Sequence, residues 1–194
     1  AGLFLALSTL AGPAWAGQYA SIVIDADDGR VLHAANPDAR SYPASLTKVM
    51  TLDLMFDDLE SGRLRLDRRL PVSAHAAGQA PSKLGLKPGE RISVQDVILA
   101  LVTKSANDAA VVAAEGVAGT EAAFALRMTQ KARALGMAST TYRNASGLPN
   151  PGQMSTVRDQ ATLARALIRD HAGFYRYVST RAFDWRGQTI TTHN

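Results

Sequence analysis

The chain has 194 residues, 46% of them apolar, which is enough for one sizeable core or for part of a larger one. It contains no cysteine, which excludes disulfides, thiolate metal sites and cysteine catalysis, and suits an oxidising compartment without requiring one. The net charge is +4 with acidic and basic residues interspersed and no aromatic-basic stripe, which argues against nucleic acid as a partner and suits an anionic polymer such as a cell wall.

Residues 1–16 read AGLFLALSTLAGPAWA. The apolar run Leu3–Leu10 is too short to cross a membrane, and Ala14-Trp15-Ala16 has the small-x-small form of a signal-peptidase site. The expectation is an exported protein that enters its own signal peptide part-way, with a mature start at Gly17. No later segment is a transmembrane candidate. The β-prone stretch Tyr19–Ala26, the turn Asp27-Asp28-Gly29 and the returning Arg30–Ala34 predict a hairpin that Asn36-Pro37-Asp38 ends.

Pro43 then precedes a helix with Leu46, Val49, Met50 and Leu54 on its apolar side, ending near Gly62. Ser45 falls in its first turn and Lys48 one turn further on the same side. Unpaired backbone N–H groups at such an end stabilise negative charge developing beside Ser45. Residues 64–89 are broken by Pro71, Gly78, Pro81, Gly85 and Pro88, so short strands and loops are expected. Ser93 with Asp96 marks a helix start, and the helix from Val94 to about Thr103 should bury Val97, Ile98, Leu101 and Val102.

Lys104-Ser105-Ala106 interrupts that helix, and Asn107-Asp108 opens an alanine-rich one reaching about Glu115. Ala109, Ala110, Ala113 and Ala114 would let it pack closely in a helical core. Thr120-Glu121 caps a third helix, to Leu135, which Gly136 stops. Asn144–Gly152 reads as a loop, and Thr156 caps a last helix containing Leu163, Ala164, Leu167 and Ile168. Thr189–Asn194 looks like the start of a strand. The order is sheet, helical block, then a return to sheet, with no repeat and no low-complexity linker.

Two constellations carry possible chemistry. Ser45 and Lys48, in PASLTK, form a Ser-x-x-Lys pair in which the amine could activate the hydroxyl without a histidine. Ser105 and Asn107, in KSAN, add a hydroxyl and an amide between two helices. From the residues alone, the first pair reads equally as an ordinary helix start and the second as plain helix caps. His33, His75, His171 and His193 fall in no metal-ligand spacing, which disfavours a zinc peptidase. No cofactor and no metal site are expected.

Together and in this order, PASLTK, KSAN and the segment RALGMASTTYRNASGLPNPGQMSTVRD resemble the penicillin-recognising serine acyl-transferases. Within them the chain is similar to the low-molecular-mass serine-type D-alanyl-D-alanine carboxypeptidases of the bacterial periplasm, over nearly everything from Tyr19 to Asn194. The resemblance implies the β-lactamase/D,D-peptidase-like fold, α/β plus an all-helical subdomain, with one incomplete catalytic domain over 17–194. It implies partners too: peptidoglycan stem peptides ending in D-Ala-D-Ala, and β-lactams that acylate the same serine.

By that resemblance, Ser45 is the nucleophile and Lys48 its general base. Ser105 passes the proton to the leaving amine, and Asn107 holds Lys48 and the substrate amide. The Ser45 backbone N–H forms half of the oxyanion hole. The family's third motif, Lys-Thr-Gly, does not occur in this sequence. The resemblance therefore implies a chain that stops short of that motif, of the last strands, and of any C-terminal membrane anchor. The motif is expected within about 25 residues of Asn194. Rival readings are a D,D-endopeptidase or a β-lactamase of the same fold, and a penicillin-binding or wall-associated protein without turnover.

Overall fold

In the computed structural model, residues 19–192 are described. The expected signal segment 1–16, cleavage before Gly17, His193 and Asn194 lie outside the described residues. The chain opens with the antiparallel hairpin β1 (Ser21–Ile24) and β2 (Val31–Ala35), where Ser21 pairs with Ala35 and Val23 with His33. A bulge at Val23/Ile24 precedes the turn that Asp25 holds by accepting the Asp27 N–H.

A 3-10 turn, Ala44–Leu46, leads into α1 (Thr47–Glu60). Met50, Leu54, Met55 and Phe56 of α1 are buried. Each such side chain contributes roughly 2 kcal/mol of burial. Leu46, expected in this apolar stripe, is 55% exposed, because the 3-10 turn rotates it off the face that Met50 and Leu54 bury.

The broken stretch that follows holds β3 (Arg69–Pro71), the one-turn helix α2 (Ala74–Ala77) and β4 (Arg91–Ser93), with β3 and β4 antiparallel. The short helix α2 was not legible as one, although Ser73 caps it by accepting the Ala76 N–H. Ser93 caps α3 (Val94–Lys104) as expected, accepting the Asp96 N–H. Next comes α4 (Asn107–Ala118), in which Ala109, Ala110, Ala113 and Ala114 are all fully buried. Gly116 belongs to the same logic: a Cβ there would lie 2.8 Å from the Leu70 methyls, so the missing side chain lets β3 press onto α4.

Thr120 caps α5 (Glu121–Ala134), and Thr156 caps α6 (Val157–Asp170). Leu163 and Leu167 of α6 are buried, whereas Ala164 and Ile168 face solvent. A one-turn helix, α7 (Ala172–Tyr175), follows α6, which is therefore not the last helix. The expected terminal strand is β6 (Gln188–Thr191), and it pairs with β5 (Ala182–Trp185), a strand the sequence did not announce. This hairpin packs on α3 and does not join β1 and β2. Among the described residues the architecture is a helical core carrying three small two-stranded sheets, a mixed α/β fold with a helical block. Among the described residues no single helix is long and apolar enough to cross a membrane.

Candidate active site

Pro43 fixes its own φ near −69°, and the chain then turns sharply: Ala44 has φ +47°. A β-carbon in the left-handed region costs about 1–2 kcal/mol, so neighbours must hold the turn. Gly147 does so. Its φ is +87°, and a Cβ placed on it would stand 1.8 Å from the Ala44 carbonyl oxygen. The backbone of residue 147 therefore lies directly against the peptide that presents Ser45. The serine itself is exposed at the mouth of the cleft.

Lys48 lies in the first turn of α1, three residues after Ser45, and is 4% exposed. Its Nζ donates to the Ser146 carbonyl at 2.6 Å. Burial lowers its pKa from 10.5 to about 8. Thr51, one turn further, donates to the Ala145 carbonyl at 2.8 Å. Two α1 side chains thus grip two successive carbonyls of the loop that also carries Gly147. The loop is internally braced, with the Asn144 side chain accepting the Gly147 N–H and donating to the Leu148 carbonyl. The Gln153 side-chain oxygen accepts the N–H groups of Arg143 and Asn144.

Ser105 ends α3 in the left-handed conformation, φ +53° and ψ +40°. The two-residue break Ser105-Ala106 lets α4 start at Asn107. Asn107 is buried; its side chain donates to the Ala80 carbonyl and its backbone N–H to the Ser82 carbonyl. Ser82 closes the loop by donating to the Lys104 carbonyl. Asp108 secures the same loop, its buried carboxylate accepting the N–H groups of Leu84, Gly85, Leu86 and Ala109. The expected role of Asn107 in holding Lys48 has no direct hydrogen bond behind it here: Lys48 donates to the Ser146 carbonyl, and the Asn107 amide nitrogen donates to the Ala80 carbonyl.

Two cavities meet at Ser45 and Ser105. One, of about 390 Å³, also reaches Asn107, Ser82, Ser146 and Gly147. The other, of about 590 Å³, reaches Lys48 and the apolar Leu46, Leu52, Leu101 and Val178. All four residues singled out in the sequence therefore border one continuous region. A separate cavity of about 330 Å³ between α6 and β1 carries Arg158, Arg165 and Arg169. Those guanidiniums are tied to Asp38, to the Ala26 and Asp27 carbonyls and to Asp170, and none of the four residues lies there. Ser45 and Lys48 border the same cavity, and desolvation leaves a fraction of the buried amine neutral near pH 7, the state in which an amine can accept a proton from a hydroxyl.

The sequence of the D-alanyl-D-alanine carboxypeptidase family matches residues 11–194. The chain belongs to that family. Among curated relatives, the D-alanyl-D-alanine carboxypeptidase DacF of Bacillus subtilis is 35% identical over 149 residues, 77% of this chain and 38% of that protein. A D-alanyl-D-alanine endopeptidase of Pseudomonas aeruginosa is 34% identical over 149 residues, 76% of this chain and 46% of that protein. Among solved structures, that of the D-alanyl-D-alanine carboxypeptidase DacD from Francisella tularensis has a TM-score of 0.85 and 30% identity, covering 100% of this chain and 46% of that one. The chain spans less than half the length of the curated relatives named here.

Family membership places PASLTK and KSAN in context, but the residues that complete the region were not legible. Ser146, Gly147, Thr51 and Glu121 were read as loop, loop, helix and cap. One signal was available. Thr47, Lys48 and Thr51 interrupt the apolar face of α1, and all three are buried. Buried polar groups demand partners, and partners for a helix of this kind come from a distant loop.

Proposed function

We propose that the protein is a serine-type D-Ala-D-Ala carboxypeptidase of the cell envelope, in which Ser45 forms an acyl-enzyme with a peptidoglycan stem peptide. The observation that carries this reading is Lys48: buried, with a pKa near 8, one turn from an exposed serine at the head of α1. In this reading neutral Lys48 takes the Ser45 proton as the oxygen attacks the carbonyl between two terminal D-alanines. Ser105, across the cleft mouth, relays that proton from Lys48 to the nitrogen of the departing D-alanine. Asn107 contributes to the wall against which the substrate amide lies. Water then releases the shortened peptide. β-Lactams would acylate Ser45 by the same attack on their strained amide. Export to the periplasm or cell envelope goes with this substrate.

The test is intact-mass measurement after incubation of the full-length protein with a β-lactam, with release of D-alanine from a D-Ala-D-Ala peptide measured in parallel. The wild type should gain one adduct and release D-alanine. Ser45→Ala should gain none, and Lys48→Ala nearly none, because the hydroxyl then lacks a base. A full adduct on Ser45→Ala would overturn the assignment. A second reading, D,D-endopeptidase, is favoured by the likeness to the Pseudomonas enzyme. Cleavage of cross-linked muropeptides without D-alanine release would select it. Rapid turnover of the β-lactam itself would instead select a β-lactamase.

A further inference from the structure

Glu121 is the first residue of α5, where a carboxylate ordinarily faces water and complements the helix dipole. Here it does something else. Its side chain is only 15% exposed, and both oxygens are engaged. Oε1 accepts the Ala145 N–H at 3.0 Å, and Oε2 lies 2.8 Å from His75 Nε2 on α2. Ala145 is thereby held from both sides, with its N–H on Glu121 and its carbonyl on Thr51. The N–H and the carbonyl of Ala145 lie on the two successive peptide planes that flank its Cα, so both planes are restrained, and the adjoining plane that carries the Ser146 carbonyl is positioned from them. That carbonyl accepts from Lys48.

We propose that Glu121 is a positioning residue for Lys48: its carboxylate, braced by His75, clamps Ala145 and so holds the Ser146 carbonyl and Gly147 against the Ser45–Lys48 turn. This rests on the reading of Ser45 and Lys48 as nucleophile and base. The clamp needs reach and an acceptor oxygen rather than charge. A helix-start carboxylate needs charge and tolerates a change of reach. The two roles therefore predict opposite orders of variants.

The experiment measures the β-lactam acylation rate constant against pH for the full-length wild type and for Glu121→Gln, Glu121→Asp and Glu121→Ala, with circular dichroism and melting temperatures alongside. Glu121→Gln keeps an acceptor at the same reach and should stay within about threefold of wild type. Glu121→Asp keeps the charge but falls one methylene short, and with Glu121→Ala it should lose at least about tenfold, since small misplacements of a catalytic group cost that much or more. In both impaired variants the acid limb should move to higher pH, because loosening the loop admits water to Lys48, whose lowered pKa comes from burial. A variant that merely destabilised the fold would lower the active fraction and leave that limb in place. The proposal is overturned if Glu121→Asp matches wild type while Glu121→Gln is impaired, or if folded Glu121→Asp and Glu121→Ala keep both the wild-type rate and limb. If Glu121→Ala does not fold, the Asp and Gln pair decides alone. A wild type that takes no adduct would refute the underlying reading of Ser45 instead, and the two failures are distinct.

Discussion

Lys48, in the first turn of α1, and His171, packed along the last two turns of that helix, are both buried, yet their surroundings treat them in opposite ways. Lys48 has a backbone carbonyl and an apolar cover, and burial lowers its pKa to about 8. His171 is 1% exposed, and burial alone would lower its pKa too, but Asp53 and Glu60 outweigh that and raise it. Glu60 Oε1 lies 3.1 Å from Nδ1, and Asp53 Oδ1 and Asp57 Oδ1 lie 3.4 and 3.6 Å from Nε2. Lys131, from α5, reaches Asp57 at 2.7 Å and Asp53 at 3.3 Å. Among the described residues, one end of the helix thus keeps an amine with no paired carboxylate, and the other sets three carboxylates around Lys131 and His171. The second arrangement ties α1 to α5 and α6. The first stores free energy in a group that gives up its proton near working pH. A fold that places them 5 to 12 residues apart on one helix separates holding from reacting.

The sharpest way to break this contrast is at Gly147, which holds the reacting end without carrying any charge. An added methyl at 1.8 Å from the Ala44 oxygen cannot be accommodated by rotating a side chain, because the three nearest atoms, Ala44 O, Ala44 C and Ser45 N, are all backbone. Gly147→Ala should reduce the β-lactam acylation rate at least about 100-fold, as the Ser45 turn is pushed out of line. The melting temperature should fall as well. A variant that folds and acylates at the wild-type rate would show that this loop does not support the serine.

How far the sequence could anticipate these two ends differs between them. Periodicity and caps located α1, α3, α4, α5 and α6, because Ser93, Thr120 and Thr156 accept N–H groups from their own helices, which are local interactions. Ser45, Lys48, Ser105 and Asn107 were legible because chemistry and helix-end position coincide in two short motifs. What was hidden depends on contacts across long separations. Lys48 meets Ser146 across 98 residues, and Asp53 meets His171 across 118, and no local pattern encodes either pairing. The short strands β4 and β5 and the helix α2 were missed for a related reason. Elements of three or four residues are held by their neighbours, not by their own propensity.

The structural end is tested by His171→Ala. Removing the imidazolium leaves Asp53, fully buried, with Lys131 alone to balance it, and removes the edge-on contact to the Phe56 ring. Breaking such a buried cluster should cost about 3 kcal/mol by denaturant unfolding at pH 6. The sign of the pH dependence follows from the raised pKa. The stabilisation is complete below the unfolded histidine value of about 6.5, and it fades as pH rises through the higher folded value. The difference between wild type and variant should therefore shrink on going from pH 6 to pH 9. Acylation by the folded variant should stay near wild type, since His171 lies away from the cleft. A gap that widens with pH would contradict the assignment of a charged His171.

Lys48→Met reverses the expected sign. The lysine's shift from 10.5 to about 8 corresponds to roughly 3 kcal/mol held against folding at neutral pH, at about 1.4 kcal/mol per unit. Methionine removes the buried cation but leaves the Ser146 carbonyl without its donor, so the net gain should be about 1–2 kcal/mol at pH 7. Acylation should be lost. Between pH 8 and 10.5 the unfolded wild type binds more protons than the folded one, so wild-type stability rises there and the advantage of the variant should vanish. Loss of stability at pH 7 would mean that Lys48 is not a strained group, and the contrast with His171 would fail.

The smallest effect is expected at Thr51, which stands between the two ends of the helix. Thr51→Val keeps shape and burial and deletes one hydrogen bond, that to the Ala145 carbonyl. The orphaned carbonyl should cost about 1 kcal/mol in stability. If the loop serves only to cover α1, that cost is the whole effect, and the acylation rate of folded protein is unchanged. If the loop aims the Ser146 carbonyl at Lys48, a severalfold fall in acylation accompanies the same small loss of stability. Thr129→Val supplies the comparison. Thr129 accepts the Tyr142 N–H, a part-buried bond between α5 and the same loop region but away from Ala145, and its loss should destabilise by a similar amount. A rate that falls in Thr51→Val and holds in Thr129→Val would place the sensitivity at Ala145–Ser146. Equal falls in both would assign it to general loosening of α5 against the loop, and the special standing of the Lys48 end would be lost.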